Sequence, residues 1–131
     1  MKIKIDKADS LFSKWIRNRD YWICKRCFTK YEEGSVGLHN SHFYSRSHEN
    51  TRFDPNNCDA LCFGCHRYFT SNPNEYREWK LKQLGEERFL NLQLEANLYH
   101  KKDRKFEIIK WQEALKVQKN LKLNMKRLKK K

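Results

Sequence analysis

The chain lacks any apolar run that approaches the roughly 20 residues of a membrane-spanning helix. Its first ten residues, MKIKIDKADS, also lack the apolar segment of a secretory signal peptide. Hydrophobic residues make up only 38% of the 131 residues, so a single large core is not expected. Small cores often need additional stabilisation, such as a bound structural metal ion. We therefore expect a cytoplasmic protein with no membrane partner, built as one domain or as a small domain with an extension.

A disulfide framework is not indicated either, because the five cysteines are an odd number and four of them form two C-x-x-C pairs. In a reducing compartment, paired C-x-x-C motifs are typical of metal binding. Zinc prefers four tetrahedral thiolates in structural sites, and each pair supplies two of them from one turn. The sequence therefore predicts a structural Zn²⁺ site at Cys24, Cys27, Cys62 and Cys65. We interpret Cys58 as a small buried residue, although an exchange with one of the four ligands stays open.

Acidic residues are scarce: 16 Asp and Glu stand against 29 Lys and Arg, which gives a formal net charge of +13. Most of the excess lies in residues 101–131, where thirteen basic residues face three acidic ones. Such a balance predicts a polyanionic partner, most often nucleic acid. A ribosomal or simply soluble basic protein is the alternative that charge alone leaves open.

Apolar residues recur at three- and four-residue spacing near the N-terminus and again after Asn72, which predicts helices in both regions. Asn72 is a predicted N-cap, Pro73 suits the first helical position, Glu75 can reach back to the cap, and Gly85 is predicted to end that helix. The predicted helices cover 7–19, 60–69, 73–84, 86–100 and 103–120, and the predicted short strands cover 36–44 and 51–53.

These elements predict an α+β fold in two parts. Residues 1–85 form a zinc-stapled core with an N-terminal helix, and residues 86–131 form a helical extension with a basic tail. The apolar faces in the extension suit an αα-hairpin that packs on the core or on a second subunit. The basic end, with Lys126 and Arg127, is predicted to grasp DNA, and phosphate contacts would make its affinity fall steeply with salt.

Three residues interwoven with the cysteine pairs, His42, Asn57 and His66, form a His–Asn–His pattern. A neutral imidazole such as His42 can take a proton from water near pH 7. A divalent ion held at His66 can neutralise charge on a phosphate, and Asn57 can pin the loop that orients the base. This arrangement resembles the HNH nucleases, whose ββα-metal (His-Me finger) fold consists of two strands and one helix around a metal ion. His39 and His48 are interpreted as surface residues.

The strings LFSKWIRNRDYWICKRC, SHFYSR and TRFDPNNCDALCFGCHRYFTSNPNEYREWKLKQLG also resemble the phage recombination family Rap/NinG over roughly residues 8–85. The resemblance implies a metal-dependent endonuclease that acts on branched DNA such as Holliday junctions and D-loops in the host-cell cytoplasm. It also favours a homodimer. It implies that His42 is the general base, that Asn57 is the middle Asn, and that His66 binds the catalytic Mg²⁺ or Mn²⁺ ion. The four cysteines match the structural zinc ligands.

One position departs from the wider HNH pattern. Many members carry a metal-binding Asp directly before the base, and this chain has Ser41 there. His39, Asp20 and Asp54 are the candidates for the missing ligand, and the residues leave the choice among them open. Arg46 and Arg52 are predicted phosphate contacts.

Three other functions remain as alternatives at this point. The first is an HNH nicking or restriction-type nuclease that prefers duplex DNA. The second is a non-catalytic zinc-dependent DNA-binding or adaptor protein, which the Ser41 substitution favours. The third is an RNA-binding basic protein. Cleavage by the predicted metal motif would leave 5′-phosphate and 3′-hydroxyl ends.

Overall fold

The computed structural model describes residues 3–129, so Lys130 and Lys131 of the predicted basic tail lie outside the described residues. Over this range the fold is α+β, as predicted, with five α-helices and a two-stranded antiparallel sheet. None of the described helices combines the length and the apolar character needed to cross a bilayer. The elements in chain order are α1 (Lys7–Arg19), β1 (Leu38–His42), β2 (Cys58–Cys62), α2 (Phe63–Ser71), α3 (Pro73–Leu84), α4 (Glu86–Ala96) and α5 (Arg104–Lys129).

Helix α1 has the predicted bounds because its sequence carries both an N-terminal cap and a regular apolar face. The Asp6 side chain accepts from the Asp9 backbone N–H, and the Asp9 side chain accepts from the Asp6 N–H, forming a reciprocal capping box. Ala8, Phe12 and Ile16, spaced by four residues, are fully buried on the face that packs against the sheet and α5. The helix thereby forms one wall of the region around β1.

The sheet pairs β1 with β2 so that His42 lies opposite Cys58 and Leu38 lies opposite Cys62. The predicted return strand at 51–53 is wrong, because Glu49–Thr51 is a 3-10 helix. The return strand is instead β2, whose residues are all buried and which therefore shows no alternation of polar and apolar residues. Consequently, the helix that carries the second cysteine pair begins at Phe63, three residues later than predicted.

The two faces of β1 meet different helices. His42 packs edge-on against Phe12 of α1, with ring centroids 6.2 Å apart. Ser41 points to the opposite face, where its Oγ lies 2.8 Å from the Tyr76 hydroxyl of α3. On the same side, Lys80 donates to the fully buried carboxylate of Asp59 at 2.7 Å. The sheet is thus held between α1 on one face and α2 and α3 on the other.

Helix α3 ends as predicted at Gly85, whose φ of +83° is a conformation that suits glycine. Its start needs a correction. Asn72 occupies the N-cap position, but its side chain donates to the Tyr68 carbonyl at 2.8 Å instead of capping the helix. Glu75 does not reach back either, because its carboxylate accepts from the Tyr68 hydroxyl at 2.6 Å.

The C-terminal helices depart from their predicted lengths. Helix α4 ends at Ala96, four residues early, and α5 continues to Lys129, nine residues beyond the predicted end. Trp111 of α5 packs on Phe12 and Trp15 of α1, with ring centroids 4.7 and 5.2 Å apart. From residue 119 onward every described residue of α5 is exposed. The predicted division of the chain after residue 85 remains a prediction.

Candidate active site and metal centres

Four cysteine side chains converge on one point. The sulfur atoms of Cys24, Cys27, Cys62 and Cys65 all lie within 4.8 Å of one another. The Cys27 and Cys62 sulfurs are 3.8 Å apart. Tetrahedral zinc with zinc–sulfur distances of about 2.3 Å places its sulfur ligands about 3.8 Å apart. The four side chains therefore fit a structural metal ion such as zinc.

Each cysteine pair is positioned by a turn that belongs to the sheet region. The first pair is joined to β2 by a hydrogen bond from the Lys25 N–H to the Ala60 carbonyl at 2.9 Å. In the second pair, Cys62 ends β2, and its sulfur accepts from the Cys65 N–H in the first turn of α2. A metal ion at this point would therefore tie the turn after α1 to the strand–helix junction.

The environments of these thiols differ. Hydrogen bonds from the Thr29 side chain and backbone lower the pKa of Cys27 to about 6, and this thiol is exposed. Burial raises the pKa of Cys65 to about 12, although Arg26 donates to its sulfur at 3.5 Å. A bound cation would favour the thiolate form at all four positions.

His42 is held in a defined tautomer. Its Nε2 lies 2.9 Å from the carbonyl oxygen of Arg52. A carbonyl can only accept, so Nε2 carries the proton and Nδ1 keeps a free lone pair. Nδ1 is buried and has no hydrogen-bond partner among the described residues. The ring is therefore oriented as a proton acceptor whose accepting atom is unused.

The surroundings also keep His42 neutral. Burial, reinforced by the nearby Arg46 charge, lowers the pKa of His42 to about 4, and the hydrogen bond to the Arg52 carbonyl and the Asp9 charge oppose this shift only in part. At neutral pH the imidazole is deprotonated, which is the form that a general base requires.

Asn57 is fully buried and holds the loop between the two strands. Its Oδ1 accepts from the Tyr44 N–H at 2.8 Å, and its Nδ2 donates to the carbonyls of Tyr44 and Thr51 at 2.9 and 3.1 Å. Because this loop includes Arg52, whose carbonyl orients His42, Asn57 helps to fix the backbone that holds the His42 ring. Its role in catalysis remains a prediction.

His66 meets His39, not His42. The two Nδ1 atoms are 3.1 Å apart, and the rings meet edge-on with centroids 5.4 Å apart. Two nitrogens bound to one octahedral ion at about 2.1 Å lie about 3.0 Å apart. The same separation is that of an ordinary hydrogen bond in which one ring N–H donates to the other Nδ1, so the distance fits either a hydrogen bond or two nitrogen ligands of one cation.

Two histidines interpreted from sequence as surface residues have partners in the structure. His39 is half-buried against His66, and His48 is half-buried with its Nδ1 donating to the Ala96 carbonyl at 3.0 Å. Of the three residues that the sequence left open as the missing ligand, His39 is the one that contacts His66. The sequence spacing does not specify this contact, because it depends on where α2 packs against β1.

The other candidates for the missing ligand are engaged elsewhere. Ser41 is fully buried, faces away from His42 and is hydrogen-bonded to Tyr76. Asp20 accepts from Arg19 and from the Ala60 N–H, and Asp54 accepts from the Asn56 N–H. Among the described residues, neither Asp20 nor Asp54 forms a potential metal-binding group with His39 and His66.

A cavity of about 380 Å³ lies between α1 and β1, beside this histidine pair. No carboxylate of residues 3–129 lines it. Both polar atoms of the Asn40 side chain are buried there without a hydrogen-bond partner among the described residues. The polar residues that line the cavity are Ser13, Arg17, His39, Asn40, Arg46 and His66.

The four predicted DNA-contacting residues lie in three different places. Arg46 lines the cavity, and its buried Nε has no hydrogen-bond partner among the described residues. Arg52 is 5% exposed, and its guanidinium is bound to Asp9 and Glu49, so the predicted phosphate contact is corrected to a structural ion pair. Lys126 and Arg127 are exposed on the free end of α5, far along the chain from the cavity.

Comparison with known proteins gives one finding. The family model described as Bacteriophage Lambda NinG protein matches residues 2–131. The match includes α1, both strands and all the helices that follow them, so it extends the resemblance seen at residues 8–85 to the C-terminal helices. Neither a curated protein nor a solved structure matches the chain.

Proposed function

The chain belongs to the bacteriophage lambda NinG family, which is associated with phage recombination, and on that premise we propose that it is a metal-dependent endonuclease acting on branched DNA. The observation that carries the proposal is the state of His42. A neutral imidazole, oriented through Nε2 by a backbone carbonyl, presents an unused lone pair on Nδ1. An exposed histidine of ordinary pKa would give no reason to propose a general base.

The order of elements supports an HNH assignment. Strands β1 and β2 are followed directly by α2, with the proposed base at the end of β1 and His66 on the helix. The ββα-metal fold has the same order of two strands followed by one helix, and this agreement supports the proposal. The cysteine cluster includes Cys62 and Cys65 at the junction of β2 and α2, so a zinc ion there would stabilise this junction and have a structural role.

In the proposed reaction, Nδ1 of His42 takes a proton from the attacking water while Nε2 stays bonded to the Arg52 carbonyl. The water oxygen bonds to phosphorus, and the bond from phosphorus to the 3′ oxygen breaks. The departing oxygen takes a proton from solvent, which leaves 5′-phosphate and 3′-hydroxyl ends. His39 and His66 would hold Mg²⁺ or Mn²⁺, which supplies charge stabilisation to the phosphate and the departing oxygen.

Cleavage assays with His42→Ala test the proposal. General-base catalysis contributes about 10²–10⁴-fold, so the variant should cut a four-way junction at least 100-fold more slowly than the parent. His100→Ala is the matched control, because His100 is exposed and lies outside the site. Zinc content must be equal in all three proteins. Equal cleavage by parent and His42→Ala would show that His42 is not the base.

Substrate preference is tested with the same proteins. A junction-selective enzyme should cut four-way junctions faster than linear duplexes of matched sequence. Faster cutting of the duplex would instead support a nicking or restriction-type nuclease. Sedimentation of the free protein tests the proposed homodimer, which would supply two sites to the symmetric strands of a junction.

One observation favours a second candidate, a zinc-dependent DNA-binding or adaptor protein without activity. Nδ1 of His42 is buried, so water reaches it only if the site rearranges or substrate displaces a neighbour. Highly purified protein that binds junctions but shows no Mg²⁺- or Mn²⁺-dependent cleavage would support this candidate against the nuclease.

A further inference from the structure

We propose that Asn40, with Arg46 and Arg17, forms the binding site for one backbone phosphate of DNA. The inference rests on the proposed function in one respect only: the phosphate is taken to be the one whose ester is cleaved. The binding site itself is argued from the cavity between α1 and β1.

Asn40 is the feature that requires explanation. Its side chain is only 8% exposed, yet neither Oδ1 nor Nδ2 has a hydrogen-bond partner among residues 3–129. Most buried polar side-chain atoms are hydrogen-bonded, and leaving one unsatisfied is energetically unfavourable. Because this carboxamide lines the cavity, a ligand there can supply the partners that the protein does not.

The charge of the cavity identifies the ligand as an anion. Arg17 and Arg46 both line it, and no carboxylate does. The nearest acidic neighbour of Arg46 is Asp9, at 3.8 Å from Nε, and the Asp9 oxygens already accept from Arg52. Arg17 lies over the Trp22 ring at 4.7 Å, and its Nε donates to the Ser13 carbonyl at 3.3 Å, which fixes the guanidinium at the cavity.

The position of Arg46 relates the cavity to the proposed chemistry. Arg46 follows His42 by four residues in the chain and lines the same cavity as His66 and Asn40. A phosphate bound by Arg46 would therefore lie in the cavity that His66 also lines. Nδ2 of Asn40 can donate to a phosphate oxygen, while Oδ1 can accept from a water molecule.

Salt-dependent binding tests this inference without requiring cleavage. Zinc-loaded full-length protein is titrated with a labelled four-way junction, in the absence of added Mg²⁺ or Mn²⁺, over a range of KCl concentrations. Each phosphate contact by a cation contributes about 0.9 to the slope of log affinity against log salt concentration. Arg46→Gln should therefore reduce that slope by about one.

Asn40→Ala should weaken binding about tenfold at every salt concentration and leave the slope unchanged, because Asn40 is neutral. Asn40→Asp, which keeps the shape and adds a negative charge, should weaken binding further. Arg77→Gln is the matched control, because Arg77 is exposed on α3, away from the cavity. Zinc content and melting temperature establish that each variant is folded.

The outcomes separate this inference from the proposed function. If Asn40→Ala and Arg46→Gln bind as the Arg77→Gln control does, the phosphate site is refuted, whatever His42→Ala does to cleavage. If both bind more weakly as described while His42→Ala cuts normally, the phosphate site stands and the assigned base is refuted. Competition by inorganic phosphate alone, equal to that by DNA at the same phosphate concentration, would show a free-anion site and overturn the assignment to DNA.

Discussion

His42 illustrates how backbone contacts can give a common residue a defined chemical state. The hydrogen bond of Nε2 to the Arg52 carbonyl selects the tautomer, and burial removes the cationic form from the physiological pH range. Asn57 and the Arg52–Asp9 ion pair hold the backbone that makes this bond. The sequence predicted that Arg52 contacts DNA. In the structure its carbonyl orients the His42 ring, and its guanidinium pairs with Asp9.

The protonation of His42 is open to direct measurement. Its pKa is lowered to about 4, below the ordinary value of about 6.5, so acidification from pH 7 to 5 should leave the ring neutral. Protonation favours the unfolded chain, and the His42 contribution to stability should be lost as pH falls from about 6.5 to 4. NMR of the imidazole nitrogens should show the Nε2–H tautomer, and Arg46→Gln should raise the midpoint. A midpoint near 6.5 would contradict the burial argument.

Ser41 can be tested as the position where the wider HNH pattern carries an aspartate. The side chain is fully buried on the face opposite His42 and bonded to Tyr76. Ser41→Asp should therefore not create a metal ligand but place an unpaired carboxylate in the core, at a cost of about 3–5 kcal/mol in unfolding free energy. Ser41→Ala, the control, should cost about 1 kcal/mol. Urea unfolding measures both, and a stabilised Ser41→Asp variant with tighter Mn²⁺ binding would refute this placement.

At the scale of elements, α3 is attached to the sheet by a buried charge pair. Lys80 and Asp59 are at most 1% exposed and 2.7 Å apart, and Gln83 also donates to the carboxylate. Removing one partner of a buried pair leaves an uncompensated charge, which costs about 3–5 kcal/mol. Lys80→Met should lower the unfolding free energy by that amount.

The matched double variant distinguishes charge from packing. If the cost of Lys80→Met arises from the isolated carboxylate, Asp59→Asn in the same chain should recover much of the loss, as measured by urea unfolding at constant zinc. Equal stability of the single and double variants would assign the cost to lost packing instead.

Elements whose signals are local could be predicted from sequence, and those that depend on distant partners could not. Helix α1 carries its own cap in Asp6, and α3 carries its own stop in Gly85. Strand β2 could not be predicted because all of its residues are buried, so polar and apolar residues do not alternate along it. One of its backbone N–H groups, that of Ala60, donates to the Asp20 side chain, which is 40 positions away in the sequence.

The candidate site divides along the same line. The cysteine cluster follows from short C-x-x-C spacings, and the four sulfur atoms do converge. The His39–His66 contact and the unsatisfied Asn40 depend on strand register and helix position, which spacing does not specify. Helix α5 continues beyond residue 120 because its sequence still alternates charged and apolar residues there. The dense positive charge of this segment favoured a frayed end over a helix in the prediction.

At the scale of the whole molecule, charge and stability lie in different parts. Deleting residues 119–131 removes seven Lys and Arg and no acidic residue, which lowers the formal net charge from +13 to +6. The described part of this segment is exposed, so the unfolding free energy should be nearly unchanged. The affinity for DNA should fall and its salt slope should become shallower, by about 0.9 for each lost phosphate contact.

Trp111→Ala should have the opposite effect to that deletion: it should change the stability and not the charge. The indole is 3% exposed between Phe12 and Trp15, so its loss should cost about 3–5 kcal/mol while leaving the net charge intact. Calorimetry and salt-dependent binding on both variants check the separation. A truncated chain as unstable as Trp111→Ala would show that the free end of α5 packs on the molecule.

The unequal exposure of the four clustered thiols has a consequence for oxidative chemistry. Cys24, Cys62 and Cys65 are buried, whereas Cys27 is exposed. A peroxide approaching from solvent meets that sulfur first, and oxidising it would remove one of the four candidate metal ligands. The chain between the two cysteine pairs contains His39, His42 and Asn57, so a single surface reaction would loosen the segment that holds the proposed base. The oxidation state of one surface sulfur atom thus bears on the integrity of a site whose own residues are not readily oxidised.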